Sequence, residues 1–249
     1  MIDPPPPIHS RQNPLVARVR AARAGREDQM VLLEGERLIV DALGGGMTIE
    51  VLLVAAGRPL PDSLAALAIL CREVTPDIAQ SLSALERGPG LLALARAPAE
   101  RPLAECPRHD RGLLAVAAGV SDPGNLGAIA RAAEAAGATG LVRIGGASAF
   151  GDKAVRGSMG SLLRLPVYGC KDPAELRTLG WRVVAAATRG GSDPRTFDWS
   201  GPVALWIPGE VGGDAPPSAE RVTLPMGGRV ESLNVATAAA VLLYAAGRI

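Results

Sequence analysis

Residues able to do chemistry gather in three short stretches of this 249-residue chain. In the first, SDPGNLGAIARAAEAAGATG at 121–140, a glycine-bearing loop leads into an alanine-rich helix. Asp122 and Asn125 can each accept a hydrogen bond from the orphan amides of a helix start, and Pro123 fixes the approach. Arg131 follows in the second turn, three residues before Glu134, a spacing that also suits a solvated ion pair. The stretch is not a dinucleotide fingerprint, because Gly124 and Gly127 give only G-x-x-G and no acidic residue closes the next strand. The second stretch, VALWIPGEVGGD at 203–214, reads as a buried strand that ends in Pro208 and Gly209 and presents Glu210 ahead of Gly212 and Gly213. Open α/β sheets hold their ligands at such strand ends, where glycines let a ligand approach the backbone. The third, LPMGGRVESLNVATAAAVLLY at 224–244, places Ser232 to cap a last helix, with Asn234 in its first turn. Capping explains Ser232 as well as function does, whereas asparagine is disfavoured inside a helix and Asn234 has no comparable structural reason.

A scaffold of alternating strands and helices must position these groups. The pattern predicts strand 113–119, helix 125–137, strand 140–144, a helix near 153–160, strands near 183–187 and 203–207, and a closing helix 233–246. Strands this continuously apolar, separated by helices, indicate a parallel sheet covered on both faces. Ala236, Ala239, Ala240 and Leu243 let the last helix pack closely, partly against a second subunit. Upstream, NPLVARVRAARAG reads as a helix, MVLLE as a buried strand turning at Glu34 and Gly35 into another helix, and 49–55 and 91–95 as strands. LAALAILC, 64–71, reads as helical. Residues 1–10 are then a flexible proline-rich tail, 11–98 a small α/β domain, 99–111 a polar linker with a boundary near 104, and 112–249 a second domain.

Composition narrows the class. Hydrophobic residues make up 48% and charged residues 20%, and no apolar run approaches the length of a membrane span, so a cytoplasmic location is expected. Cys71, Cys106 and Cys170 are widely spaced and His9 and His109 lie near none of them, so no metal site is indicated and the thiols are expected to be buried or idle. The net charge of +1 is no global nucleic-acid signature, but Arg11, Arg18, Arg20, Arg23 and Arg26 crowd one segment, either as an RNA surface or as a solvated helix face.

Taken in order, DPGNLGAIARAAEAAGA, PGEVGG and LPMGGRVESLNVATAAAVLLY resemble motifs 1, 2 and 3 of the SpoU (TrmH-type) RNA 2′-O-methyltransferases of the SPOUT class. FGDKAVRGSMGSLLRLPV, carrying Lys153, Arg156, Ser158, Met159 and Gly160, resembles the stretch the family has between motifs 1 and 2, and RQNPLVARVR with VLLEGERLIVDAL is similar to its N-terminal substrate-binding domain. The resemblance implies an α/β-knot methyltransferase domain with a deep trefoil knot, preceded by a small ribosomal-protein-like α/β substrate-binding domain. It implies S-adenosylmethionine as cofactor, no metal, a homodimer, and RNA as partner, rRNA before tRNA. By motif position Asn125, Arg131, Glu210, Ser232 and Asn234 form the catalytic and ribose group. Thr188, Ile207, Pro208, Gly209, Leu224, Met226, Ser232 and Leu233 become the cofactor contacts, and Arg11, Arg18, Arg20 and Arg23 an RNA surface. At motif 2 the family usually has G-N-E-G where this chain has Pro208, Gly209, Glu210 and Val211, a departure that bears on cofactor affinity. An RNA-binding protein of the same fold without turnover is the alternative, and retention of Arg131, Glu210, Ser232 and Asn234 together argues against it. A dehydrogenase or kinase would need a complete phosphate-binding fingerprint, and neither kind occurs.

Overall fold

The computed structural model describes residues 6–27, 29–65, 67, 69–211 and 213–247. The chain divides into two compact units, one running to Ala99 and including Phe150–Asp152, the other formed by Glu100–Ala149 and the chain from Lys153.

The first unit runs α1 (Pro14–Arg23), β1 (Met30–Glu34), α2 (Glu36–Gly44), β2 (Ile49–Ala55), α3 (Asp62–Ala65), β3 (Cys71–Val74), α4 (Pro76–Leu82) and β4 (Leu91–Arg96). Its sheet has the order β1-β4-β2-β3, antiparallel except for the β2–β3 pair. Asn13 starts α1 by accepting the Leu15 N–H at 2.9 Å, with Pro14 at the first helical position, where its missing N–H costs nothing. Val16, Val19 and Ala22 of α1 then pack with Ile78 and Leu82 of α4 against Leu32, Leu53 and Leu94 of the sheet.

Two expectations change here. Within the expected flexible tail, of which residues 1–5 lie outside those described, the Ile8 N–H donates to the Glu73 carbonyl at 2.8 Å and the Ile8 carbonyl accepts the Thr75 N–H at 3.0 Å. The Ile8 side chain is buried in the core, which gives that residue the apolar contact a free tail lacks. The helix expected over 64–71 shrinks to Asp62–Ala65, with Ala66 and Ala68 outside the described residues, because Cys71 begins a strand that pairs in parallel with β2. Cys71 is therefore exposed at a sheet edge, whereas Cys170 is buried.

The second unit carries the chemistry. It runs β5 (Arg101–Pro102), β6 (Leu113–Ala118), α5 (Pro123–Ala135), β7 (Gly140–Ile144), α6 (Asp152–Gly157), α7 (Ser161–Arg164), β8 (Val167–Gly169), α8 (Ala174–Thr178), β9 (Arg182–Ala186), β10 (Val203–Pro208), β11 (Glu220–Val222) and α9 (Val235–Ala246). Its seven strands form one parallel sheet in the order β11-β9-β10-β6-β7-β8-β5. Every residue of β6 is buried, as an all-parallel sheet covered on both faces requires. The sheet grows outward from β6 through β7 and β8, then returns to place β10 on the other side of β6. Strand order thus reverses at the β6–β10 pair, and the loops leaving the two strands lie side by side, the position where open α/β sheets bind ligands.

Residues 99–111 are not a free linker. Arg101 and Pro102 pair with Tyr168 and Gly169 as an edge strand, and Leu103 is buried among the residues of the second core. The helix expected near 153–160 ends at Gly157 and restarts at Ser161, since Met159 and Gly160 both take positive φ. The short strands β8 and β11 extend the sheet, β11 as its edge on the β9 side, and their three-residue length hid them from periodicity.

Candidate functional site

The G-x-x-G of α5 serves packing rather than phosphate binding. A side chain at Gly127 would meet the Ala154 carbonyl at 2.4 Å, and one at Gly157 would meet the Gly124 carbonyl at 3.3 Å, so α5 and α6 approach to backbone contact. Asp122 is the N-cap of α5, accepting the Asn125 N–H at 2.9 Å, and its second oxygen pairs with Lys153. The Lys153 ammonium, followed by the Asn125 N–H, holds the Asp122 carboxyl below the usual carboxylate range. With capping taken by Asp122, the side chain of Asn125 is released for another partner.

That partner is Asn234. Contrary to expectation, Asn234 and not Ser232 caps the last helix: its Oδ1 accepts the N–H groups of Ala236 at 2.9 Å and Thr237 at 3.3 Å. Helix α9 begins only at Val235, which leaves Ser232 in the preceding loop. The Asn234 Nδ2 donates to Asn125 Oδ1 at 3.3 Å, joining two residues 109 positions apart. Motif 1 and motif 3 therefore meet through two carboxamides.

Motif 2 enters from the neighbouring strand. The Glu210 carboxylate accepts the Ser121 N–H at 2.8 Å, tying the loop after β10 to the loop after β6. That backbone N–H is the main reason the Glu210 carboxyl titrates below its ordinary range. The two loops also interpenetrate: a side chain at Gly209 would meet the Gly119 carbonyl at 2.2 Å, and one at Gly119 the Val211 carbonyl at 1.8 Å. Gly209 thus keeps close backbone approach rather than lining a pocket, and Gly212 lies outside the described residues.

Beside these loops, at the C-terminal ends of β9 and β10, lies a cavity of about 480 Å³. Thr188, Ile207, Pro208, Leu224, Met226, Ser232 and Leu233 all line it, so of the expected cofactor contacts only Gly209 stands outside the lining. Ile207, Leu224, Ala239 and Leu242 make apolar wall, while Thr188, Arg189 and Glu231 bring polar groups. The volume suits a cofactor-sized molecule, and the mixture suits one with a flat apolar base, sugar hydroxyls and a zwitterionic tail. S-adenosylmethionine has those parts, so the residues present fit it. Among the described residues, no group of three or more His, Cys, Asp or Glu is arranged to hold a metal ion, and no helix is long and apolar enough to cross a membrane.

Arg131 is exposed in the third turn of α5, which begins at Pro123, and does not pair with Glu134. Glu134 instead receives Arg164 of α7 through two hydrogen bonds of 2.8 Å, and that guanidinium is the leading cause of its lowered carboxyl pKa. No hydrogen bond or ion pair engages Arg131 among the described residues, which leaves its five N–H donors to a ligand.

The N-terminal arginines behave differently. Arg18 binds Glu27 at 2.6 Å and Glu50 at 2.8 Å. Arg23 donates to the carbonyls of Leu82 and Ser83 at the C-terminal end of α4, and Arg20 to Ser81 Oγ at 3.3 Å and to the Arg11 carbonyl at 3.4 Å. Three of the four arginines expected to face RNA are therefore engaged within their own unit, and the Arg11 side chain stands exposed.

Residues 112–244 match the family model of the SpoU rRNA methylase family. The chain belongs to that family. It is 33% identical over 86% of its length to the 23S rRNA (guanosine(2553)-2′-O)-methyltransferase RlmP of Bacillus subtilis, also covering 86% of that protein. The 23S rRNA (uridine(2479)-2′-O)-methyltransferase of Streptomyces viridochromogenes is 32% identical over 93% of this chain and 85% of its own. Among solved structures, the AdoMet-bound rRNA methyltransferase from Sinorhizobium meliloti superposes with a TM-score of 0.85 at 28% identity, covering 97% of both chains. The SpoU match falls almost wholly in the second unit, whereas the structural likeness to the Sinorhizobium meliloti protein spans both units.

Proposed function

We propose that this protein transfers a methyl group from S-adenosylmethionine to a ribose 2′-hydroxyl of ribosomal RNA. The observation that carries the reading is the Asn125–Asn234 hydrogen bond, because it brings motif 1 to motif 3 at the rim of the cavity: Leu233 and Val235, which flank Asn234, both line it. Bound there, S-adenosylmethionine supplies a methyl group on an electrophilic sulfonium, with a neutral thioether as leaving group. What remains for the protein is to hold the hydroxyl in line and to help its proton leave.

The side chains divide that work. Arg131, unpaired and always charged, binds the phosphate next to the target ribose; a proton-accepting role is disfavoured because guanidinium resists deprotonation. Asn125 and Asn234 present carboxamides to the ribose from helices fixed at their N-termini. Glu210, kept ionised by the Ser121 N–H, orients Arg131 or a sugar hydroxyl. Ser232 and Leu233 shape the cavity wall, and at motif 2 Gly209 stands where the family usually has asparagine, with Pro208 in place of the preceding glycine.

Three further features belong to the same reading. The mutual approach of the loops at Gly119 and Gly209 suits a chain threaded through itself as a trefoil knot. Helix α9 exposes Val241 by 47% and Tyr244 by 54%, an apolar face suited to a second copy of this chain in a homodimer. Arg11 and Arg26 are the exposed members of the basic segment, Arg11 being the one left for RNA contact, and a ribosomal RNA substrate suits a cytoplasmic location.

The deciding experiment is methyl transfer from labelled S-adenosylmethionine to protein-free 23S rRNA, with bulk tRNA in parallel and mapping by resistance of the modified linkage to alkaline hydrolysis. Label at one rRNA ribose is the expected result. Binding of the rRNA without any transfer would replace this reading with that of an RNA-binding protein, and transfer to tRNA alone would reassign the substrate.

A further inference from the structure

The segment between α6 and α7 has a feature the reaction described so far does not use. Met159 takes φ 51, in the left-handed region, and Gln29 is the only other non-glycine residue among those described to do so. Its N–H donates to the Arg156 carbonyl at 3.0 Å, so it occupies the reversal after α6, where glycine is the ordinary choice. A methionine there carries a steric cost that glycine avoids. The side chain does not recover that cost by burial, since the residue is 49% exposed while Ser158 and Gly160 on either side are buried.

Its position along α5 follows from helix periodicity. Gly124, Gly127, Arg131 and Glu134 fall on one stripe of that helix, three or four residues apart. At the N-terminal end of the stripe a side chain on Gly127 would meet Ser158 N at 2.7 Å, and Gly157 lies against Gly124. At the other end Glu134 is bonded by Arg164 and by the Ser161 hydroxyl. The segment 157–164 therefore runs along this stripe, and Arg131 stands between its two anchor points, level with the reversal at 159–160. An exposed thioether and an unpaired guanidinium share that surface.

We infer that Met159 is a positioning residue for the RNA substrate, its side chain packing on the base or sugar of the nucleotide whose backbone phosphate Arg131 holds. This rests on the methyl-transfer reading for the identity of the nucleotide, but not for the contact itself. Protein recognition of RNA targets single-stranded loops whose bases are splayed out, and an unstacked base there gains from an apolar surface that replaces its lost stacking. Methionine suits that role because its unbranched, polarisable side chain adapts to any base face. Arg131 sets the phosphate, Met159 sets the base, and the 2′-hydroxyl between them is brought to register with the carboxamides of Asn125 and Asn234.

The test measures the affinity of the full-length protein for protein-free 23S rRNA, alongside KM and kcat for methylation. Met159→Gly removes the side chain and relieves the backbone, so its melting temperature is expected to be unchanged or raised. Its affinity for the RNA is expected to fall about tenfold, the loss of one partly buried methionine contact. KM rises correspondingly, kcat changes little, and the salt dependence of binding keeps its slope because no phosphate contact is lost. Met159→Leu, which keeps apolar bulk, should restore most of the affinity. Equal RNA affinity of the wild type and Met159→Gly would overturn the inference. If the wild type transfers no methyl group yet Met159→Gly still binds RNA more weakly, the contact stands and the methyl-transfer reading fails.

Discussion

The Asn234 carboxamide holds two helices at once: Oδ1 caps α9 through the N–H groups of Ala236 and Thr237, while Nδ2 donates to Asn125 Oδ1 on α5. The cap fixes which end of the amide points inward, so one residue sets both a helix start and the orientation of its neighbour. Two substitutions separate these duties. Asn234→Ala loses the cap and should cost about 1 kcal/mol of stability together with methyl transfer. Asn234→Asp keeps the accepting oxygen but loses the Nδ2 donor, so thermal denaturation should be near wild type while kcat/KM falls by at least about tenfold. Retained activity in Asn234→Asp would remove the inter-amide bond from the mechanism.

Arg131→Ala should leave the melting temperature and S-adenosylmethionine affinity unchanged, because the guanidinium makes no bond within the described structure that its removal would break. Single-turnover methylation should fall by a factor of about one hundred or more if the residue holds the substrate phosphate in the transition state. Turnover close to wild type would dismiss it from the site.

Glycine substitutions distinguish loop crossing from loop exposure. At Gly209 a β-carbon would meet the Gly119 carbonyl at 2.2 Å, backbone against backbone, whereas at Gly227 no atom lies within 4 Å. Gly209→Ala should destabilise the protein by about 3 kcal/mol or more and abolish cofactor binding, while Gly227→Ala stays within about 0.5 kcal/mol of wild type. Chemical denaturation with calorimetric titration of S-adenosylmethionine reads both effects.

Alkaline pH offers an independent check on the second core. Burial, assisted by the neighbouring Glu175 and Asp172 charges, pushes the Cys170 thiol up to about 11, and burial with the adjacent Cys106 thiol pushes the Tyr168 phenol up to about 12. In both cases the folded state keeps its proton at a pH where the unfolded chain releases it. Stability from Cys170 is therefore complete below about pH 9 and is lost as pH rises through about 11. Tyr168 follows one pH unit or so higher. The combined loss is on the order of 2 to 4 kcal/mol. Melting temperature measured against pH should fall over this window, and Cys170→Ala should flatten its lower part.

The basic segment yields a contrast between α1 and the residues just before it. Arg18→Ala breaks two ion pairs and should lower the stability of the first unit by about 1 kcal/mol with little effect on RNA binding. Arg11→Ala should leave stability unchanged and reduce the salt slope of rRNA binding by about one.

The long elements were legible in the sequence because their apolar runs are continuous: β6, β7 and β10 fall within one residue of their expected bounds, and α5 begins two residues early because Pro123 is the first helical position. Seven of the eight residues expected from motif position to contact a cofactor line the cavity, whereas lining residues such as Arg189, Arg221 and Glu231 were not foreseen. What stayed hidden depends on partners far along the chain. Ser232 and Asn234 are both good capping residues, and only the start of α9 decides between them. Arg18 and Arg23 read as solvated or RNA-facing until Glu50 and the end of α4 are folded against them. The polar run after Ala99 looked like a linker because an edge strand of two residues has no periodicity to read, and Ile8 gave no sign that it would join a strand at Val74.

The adjacency of β6 and β10 has a consequence for how the cell makes this protein. Val203 must pair beside Leu113, and Asn234 must reach Asn125, so the site's halves are separated by most of the second unit's length. During synthesis the strands from β6 to β9 leave the ribosome with no partner yet available on the β10 side, and the long contour between paired residues makes the final closure slow. The growing polypeptide is therefore silent as a catalyst until its last helix has been translated, and each new molecule becomes active in a single late step.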